Sequence, residues 1–255
     1  MRAVTTTLFC LALLATTSTL QAQNWTLKTA KEVLEANVEA TGGADAWSTI
    51  KTIRLEGTME MDSPMGGGGT RKGPFIVHVK LPGYSHREST METQRGEMKS
   101  TLVMTPEKSW AESSMGGRRD LPDQDWMDLE SAKQELALLN NDAYTLAGLE
   151  TDIADTGPIY IVSVEHNGKM YKRHYDQISL MLLAAERPSL RGGKEWIHYG
   201  DYKDVDGLKV AHTWASQGRI VTQGGGGSTE RTIEIRNTLE KIAFNVPVKD
   251  ALFSE

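Results

Sequence analysis

The chain has 255 residues, of which 39% are hydrophobic, 24% charged and 7% aromatic. That balance excludes a disordered polymer and fits one or two globular units, all-β barrels and sandwiches of this length being commonly single ones. The formal charge is -6, with lysines and arginines scattered among more numerous acids. No basic surface stands ready to neutralise a phosphate backbone, so nucleic acid is not expected as a partner.

Residues 1–22 read as a secretory signal peptide. Arg2 precedes the apolar run Leu8-Phe9-Cys10-Leu11-Ala12-Leu13-Leu14-Ala15, and the chain then turns small and polar before Ala22. The run is shorter than the roughly 20 residues a spanning helix requires, and the mature chain is expected to begin near Gln23. Cys10 is the single cysteine. It is preceded by Phe9 and followed by further apolar residues, which does not suit a lipid-modified cysteine. The mature chain therefore holds no thiol for disulfides, nucleophilic catalysis or metal binding.

Leu27, Ala30, Val33, Leu34 and Val38 recur at helical spacing, with Thr26 placed to cap and Gly42-Gly43 to stop. A short helical turn is expected through 44–47. Residues 53–61 then alternate apolar and polar with period two, as a strand with one wet face does. Strands are further expected over 75–81, 84–93, 98–104 and 108–114, punctuated by Pro and Gly. A helix is expected within 122–140, where Trp126, Leu129, Leu136 and Leu139 fall near helical spacing. Strands resume over 145–153, 159–165, 169–175, 180–187, 195–203, 208–215 and 229–244, and Asn167-Gly168 marks a hairpin whose turn needs positive φ at both positions. About ten or eleven antiparallel strands with two or three helices make an α+β domain over 23–255, a large curved sheet covered on one face by helices.

The glycine runs 66–69 and 224–227 lie between strand-like segments, where hairpin tips are expected. A phosphate loop would stand between a strand and a helix. Gly192-Gly193-Lys194 also fails as such a loop, because Glu195 follows the lysine. The six histidines fall on separate strands without zinc-peptidase spacing, and no Gly-x-Ser-x-Gly elbow occurs. No catalytic residue, metal or cofactor is expected. The methionines cluster instead in the first half, at positions 59, 61, 65, 91, 98, 104, 115 and 127. Such a face either fills a core or adapts to variable apolar ligands.

The chain resembles the LolA/LolB-like outer-membrane lipoprotein-sorting family. The resemblance is carried by Ala40-Thr41-Gly42-Gly43, Ile50 to Thr58, Val79-Lys80-Leu81-Pro82-Gly83, Leu102-Val103-Met104 with Lys108 and Trp110, Tyr175 to Leu180, Tyr199 to Leu208, and Asn245 to Phe253. It implies an incomplete β-barrel of about eleven strands whose helices cover the concave face and close over a cavity for acyl chains. The cavity lining it suggests is Met59, Met61, Phe75, Val77, Val79, Met104, Trp110 and Trp126. It further implies a periplasmic, non-enzymatic carrier of lipoprotein or lipid acyl chains toward the outer membrane, with transient membrane contact and an envelope acceptor protein. Leu81 stands where the carriers proper commonly have an arginine that holds the lid, so the resemblance extends to amphiphile binding more readily than to handover. Two other readings stay open: an envelope interaction module using a sheet edge, and a hydrolase whose histidines and acids meet in a cleft.

Overall fold

The computed structural model describes residues 26–62, 69–93, 96–121, 134–188, 194–224 and 227–254. The expected leader and Trp126 lie outside the described residues.

The first helix, α1 (Ala30–Ala40), starts at Thr29 rather than Thr26. Thr29 has Glu32 three residues on, and the two exchange bonds: the Glu32 amide donates to Thr29 Oγ1 at 3.2 Å and the Thr29 amide to Glu32 Oε2 at 3.0 Å. Leu27, which looked helical from its spacing, packs against the core from outside the helix, its amide donating to Tyr160 Oη at 3.1 Å. The helix stops at Gly42 and Gly43, with φ of 126° and 88°. At Gly42 a Cβ would stand 2.7 Å from the Gly207 carbonyl oxygen, so the residue must also be bare for the chain to approach the sheet this closely. A second helix, α2 (Ala44–Thr49), follows at once.

The strands are β1 (Thr52–Met61), β2 (Arg71–Lys80), β3 (Tyr84–Thr93), β4 (Gly96–Met104), β5 (Ser109–Ser113) and β6 (Gly117–Leu121). After α3 (Gln134–Asn140) come β7 (Thr145–Ala154), β8 (Gly157–His166), β9 (Lys169–Asp176), β10 (Leu182–Pro188), β11 (Lys194–Val205), β12 (Leu208–Gly224) and β13 (Gly227–Phe244). All belong to one curved, unclosed antiparallel sheet in the order β6-β5-β4-β3-β2-β1-β13-β12-β11-β10-β9-β8-β7. Among the described residues the count is thirteen rather than about eleven. Strand β6, Gly-Arg-Arg-Asp-Leu, is almost wholly exposed and carries no apolar alternation to announce it. The Asn167-Gly168 turn has φ of 50° and 71°, as the hairpin reading required. The β12–β13 ladder runs out to Gly224 facing Gly227, which puts that glycine run at a hairpin end.

Two meanders thus meet where the last strand pairs with the first. The edges, β6 and β7, are consecutive in the chain, and α3 stands between them in sequence. The core lies on the concave face, under the helices. Val33 and Leu34 of α1 and Leu138 of α3 bury against Tyr160, Val162, Val164 and Tyr171. Val38 and Trp47 bury with Ile50, Ile53 and Leu208. A third cluster, Met59, Phe75, Val77, Met91 and Leu239, belongs to the sheet alone. Each such side chain contributes about 1.5–3 kcal/mol when fully buried.

Candidate functional site: a cavity on the concave face

Between the helices and the sheet lies a cavity of about 430 Å³, within the roughly 300–1,000 Å³ of small-molecule sites. Leu55, Val77, Val79, Leu81, Leu102, Ile197, Val210, Trp214, Ile235 and Leu239 supply its sheet wall, and Val38, Trp47 and Leu136 its helical roof. Trp47 is held in place by its indole N–H, which donates to Thr41 Oγ1 at 3.1 Å, and its ring meets Phe244 edge-on at 6.2 Å. The lining is mostly apolar because period-two alternation sends one side of every strand inward.

Of the residues expected to line such a cavity, Met59, Val77, Val79 and Met104 do so. Phe75 shares their face but is packed beneath it, 1% exposed, with Trp214 edge-on at 5.7 Å and the Arg87 guanidinium 4.9 Å from its ring. Met61 packs half-buried at the far end of the same cluster. Trp110 lies on the opposite face. It pairs in register with Val103, which pairs with His86, and Arg118 stacks 4.2 Å from its ring. The alternation of β5 sends Ser109, Ala111 and Ser113 inward and the tryptophan outward. Among the described residues, Trp47 and Trp214 are the tryptophans that face the cavity.

Polar groups that the sequence did not single out shape the cavity as well. Arg87 Nη2 donates to Asn237 Oδ1 at 2.6 Å and contacts Met59 Sδ at 3.1 Å. Arg187 Nε donates to Glu195 Oε2 at 3.1 Å. Arg173, 1% exposed, is bound to Glu135 of α3 and donates to Tyr175 Oη at 3.0 Å; the phenol in turn donates to Glu135 at 3.3 Å. Burial, the largest single effect, opposes the charge on Arg173, but its partners, the Glu135 carboxylate first and then the Tyr175 and Tyr199 phenols, together outweigh it and hold the guanidinium above its usual range. Burial pushes the Tyr175 phenol well up, Arg173 opposing, and raises Tyr202, whose hydroxyl donates to the Leu182 carbonyl at 2.8 Å. Both phenols stay protonated donors at any working pH, and the ion pair fastens α3 over the cavity.

No histidine lines the cavity. His78 and His86 neighbour each other on the outer face at 6.4 Å between rings, and His174 and His198 flank Trp196 at 5.1 and 6.0 Å. Among the described residues no group of three His, Cys, Asp or Glu could hold a metal ion. Burial, the leading cause, holds His78, His86 and His174 below 6.5. The unfolded chain therefore binds more protons than the folded one once pH falls below 6.5, so their contribution to stability is full above that pH and lost as pH falls. Urea midpoints at pH 7.5 and 5.5 are expected to show the protein weaker at 5.5, with part of the difference removed by His86→Phe. Equal midpoints at the two pH values would contradict this.

No protein-family model and no curated protein matches the sequence. Solved structures do. A protein domain from Vibrio parahaemolyticus named for outer membrane lipoprotein sorting superposes with a TM-score of 0.54 at 12% identity, over 88% of this chain and 95% of its own. A LolA superfamily protein from Nitrosomonas europaea superposes at 0.53 with 13% identity, over 90% of this chain and 99% of its own. The chain shares the fold of these two structures. In this fold the cavity described above occupies the concave side of the open sheet. Leu81, immediately after β2, is part of its apolar wall. No described helix is long and apolar enough to cross a membrane.

Proposed function

We propose that the chain is exported to the periplasm by residues 1–22 and that the mature part, as one LolA-like domain, carries acyl chains of lipids or lipoproteins toward the outer membrane without covalent chemistry. The observation that carries this reading is the apolar cavity under α1, α2 and α3, large enough for a ligand and walled by four of the residues expected to line it. Removing apolar surface from water at about 25 cal/mol per Å² drives acyl-chain binding there. The solved structure named for lipoprotein sorting supports the same assignment through its fold. Cargo exchange requires the helical roof to yield, and the Arg173–Glu135 pair is the bond that α3 must keep or break.

Purified protein is expected to take up a fluorescent fatty acid, with emission shifted to the blue as the probe leaves water. Absence of any uptake by folded protein would refute carriage and favour the reading of the sheet as an interaction module.

A further inference from the structure

Beside the apolar cavity the concave face changes character. Across β3 to β6 one row of register partners reads Arg87, Leu102, Ala111 and Arg119, and the next reads Ser89, Ser100, Ser113 and Gly117. Together they line a second cavity of about 510 Å³, which shares Arg87 and Leu102 with the first. The small residues leave the space, and the serines and arginines furnish hydroxyls and guanidinium groups.

The acids of these strands are of the other parity. Glu88 pairs with Thr101 and Glu112 with Arg118. Glu112 touches the rim of this cavity but alternates toward the face of Trp110, as does Asp120, the register partner of that tryptophan. Among the described residues of β3 to β6 the inward side of this shelf thus carries two cations, Arg87 and Arg119, and no carboxylate. Arg87 stands at the junction, braced by Asn237 and by the ring of Phe75.

We propose that the shelf is a head-group site, taking the phosphate-bearing head of a lipid whose acyl chains occupy the apolar cavity. The proposal rests on the acyl-carriage reading and adds the class of lipid. A guanidinium offers a planar fork matched to phosphate oxygens. Serine hydroxyls donate to the remaining phosphate and glycerol oxygens. Arg87 then marks where chain ends and head begins, and Arg119, exposed at β6, closes on the head from the open side.

The test is displacement of a bound fluorescent fatty acid by phosphatidylglycerol and by diacylglycerol with the same acyl chains, each in mild detergent, with inorganic phosphate as a third competitor. Phosphatidylglycerol is expected to compete at least about tenfold better than diacylglycerol, and inorganic phosphate not at all. Arg87→Gln is expected to abolish the preference. Arg119→Gln, on an exposed side chain that folding does not need, is expected to reduce it several-fold. Equal competition by the two lipids would overturn the head-group site while leaving acyl carriage standing. A preference that survives both substitutions would also overturn it, as would inorganic phosphate competing as well as the lipid. Failure of every lipid and of the fatty acid to bind would refute the carriage reading itself.

Discussion

Replacing Glu135 with leucine is expected to lower the stability of the protein by about 3–5 kcal/mol, the usual cost of breaking a buried ion pair by removing one partner. Arg173 is 1% exposed, so a guanidinium that loses this carboxylate can reach no water without disrupting the packing around Tyr175. The double variant Glu135→Leu/Arg173→Leu removes both charges and is expected to recover most of the loss, because the pair's own desolvation cost disappears with it. Urea unfolding of the wild type, both single variants and the double variant closes the cycle. A single variant as stable as wild type would mean that α3 is not held by this pair. The functional consequence is separable: in the double variant the roof loses its polar fastening, so fatty-acid exchange is expected to become faster although the fold survives.

Val79→Glu is expected to weaken acyl binding by about tenfold or more. An uncharged polar group buried without a partner costs about 1–3 kcal/mol, and a carboxylate costs more. Val79 faces the cavity between the Trp47 cluster and the Phe75 cluster, so a glutamate there meets apolar neighbours on both sides. Met59→Glu offers an internal contrast. Its side chain lies 3.1 Å from Arg87 Nη2, so the new carboxylate finds a cation, and the loss is expected to be smaller than at Val79. Titration of a fluorescent fatty acid into each folded variant reads the difference. Equal binding by wild type and Val79→Glu would place the acyl chain elsewhere, and a larger loss at Met59 than at Val79 would contradict the role given to Arg87.

The strand framework was legible because most strands carry an alternating run and most turns carry Gly, Pro or Asn, the Gln177-to-Met181 turn being an exception. Strand β6 escaped because an exposed edge strand needs no apolar side, and its sequence, Gly-Arg-Arg-Asp-Leu, reads as loop. The start of α1 was three residues out. Leu27 extended the apolar pattern although only Thr29 has the glutamate at the third position that closes a capping box. The cavity was half legible. Val77, Val79, Met59 and Met104 fall on the inward parity of strands whose register follows from their apolar faces. The resemblance offers Trp110 as lining, whereas the parity of β5 sends it outward. The polar members had fainter signals. Asn237 interrupts the inward series Ile235, Leu239 and Ile242, which can be seen in the sequence once the parity is known. Arg173 and Glu135 are far apart in the chain, and only the seating of α3 against the sheet brings them together.

The central claim is that the concave cavity holds acyl chains. Native mass spectrometry of the protein purified from a bacterial envelope without added lipid, followed by collisional release, tests it most directly. The claim predicts a bound species of lipid mass in wild type that is lost or strongly reduced in Val79→Glu. Protein that is uniformly empty, and that stays empty after incubation with phospholipid, would contradict it.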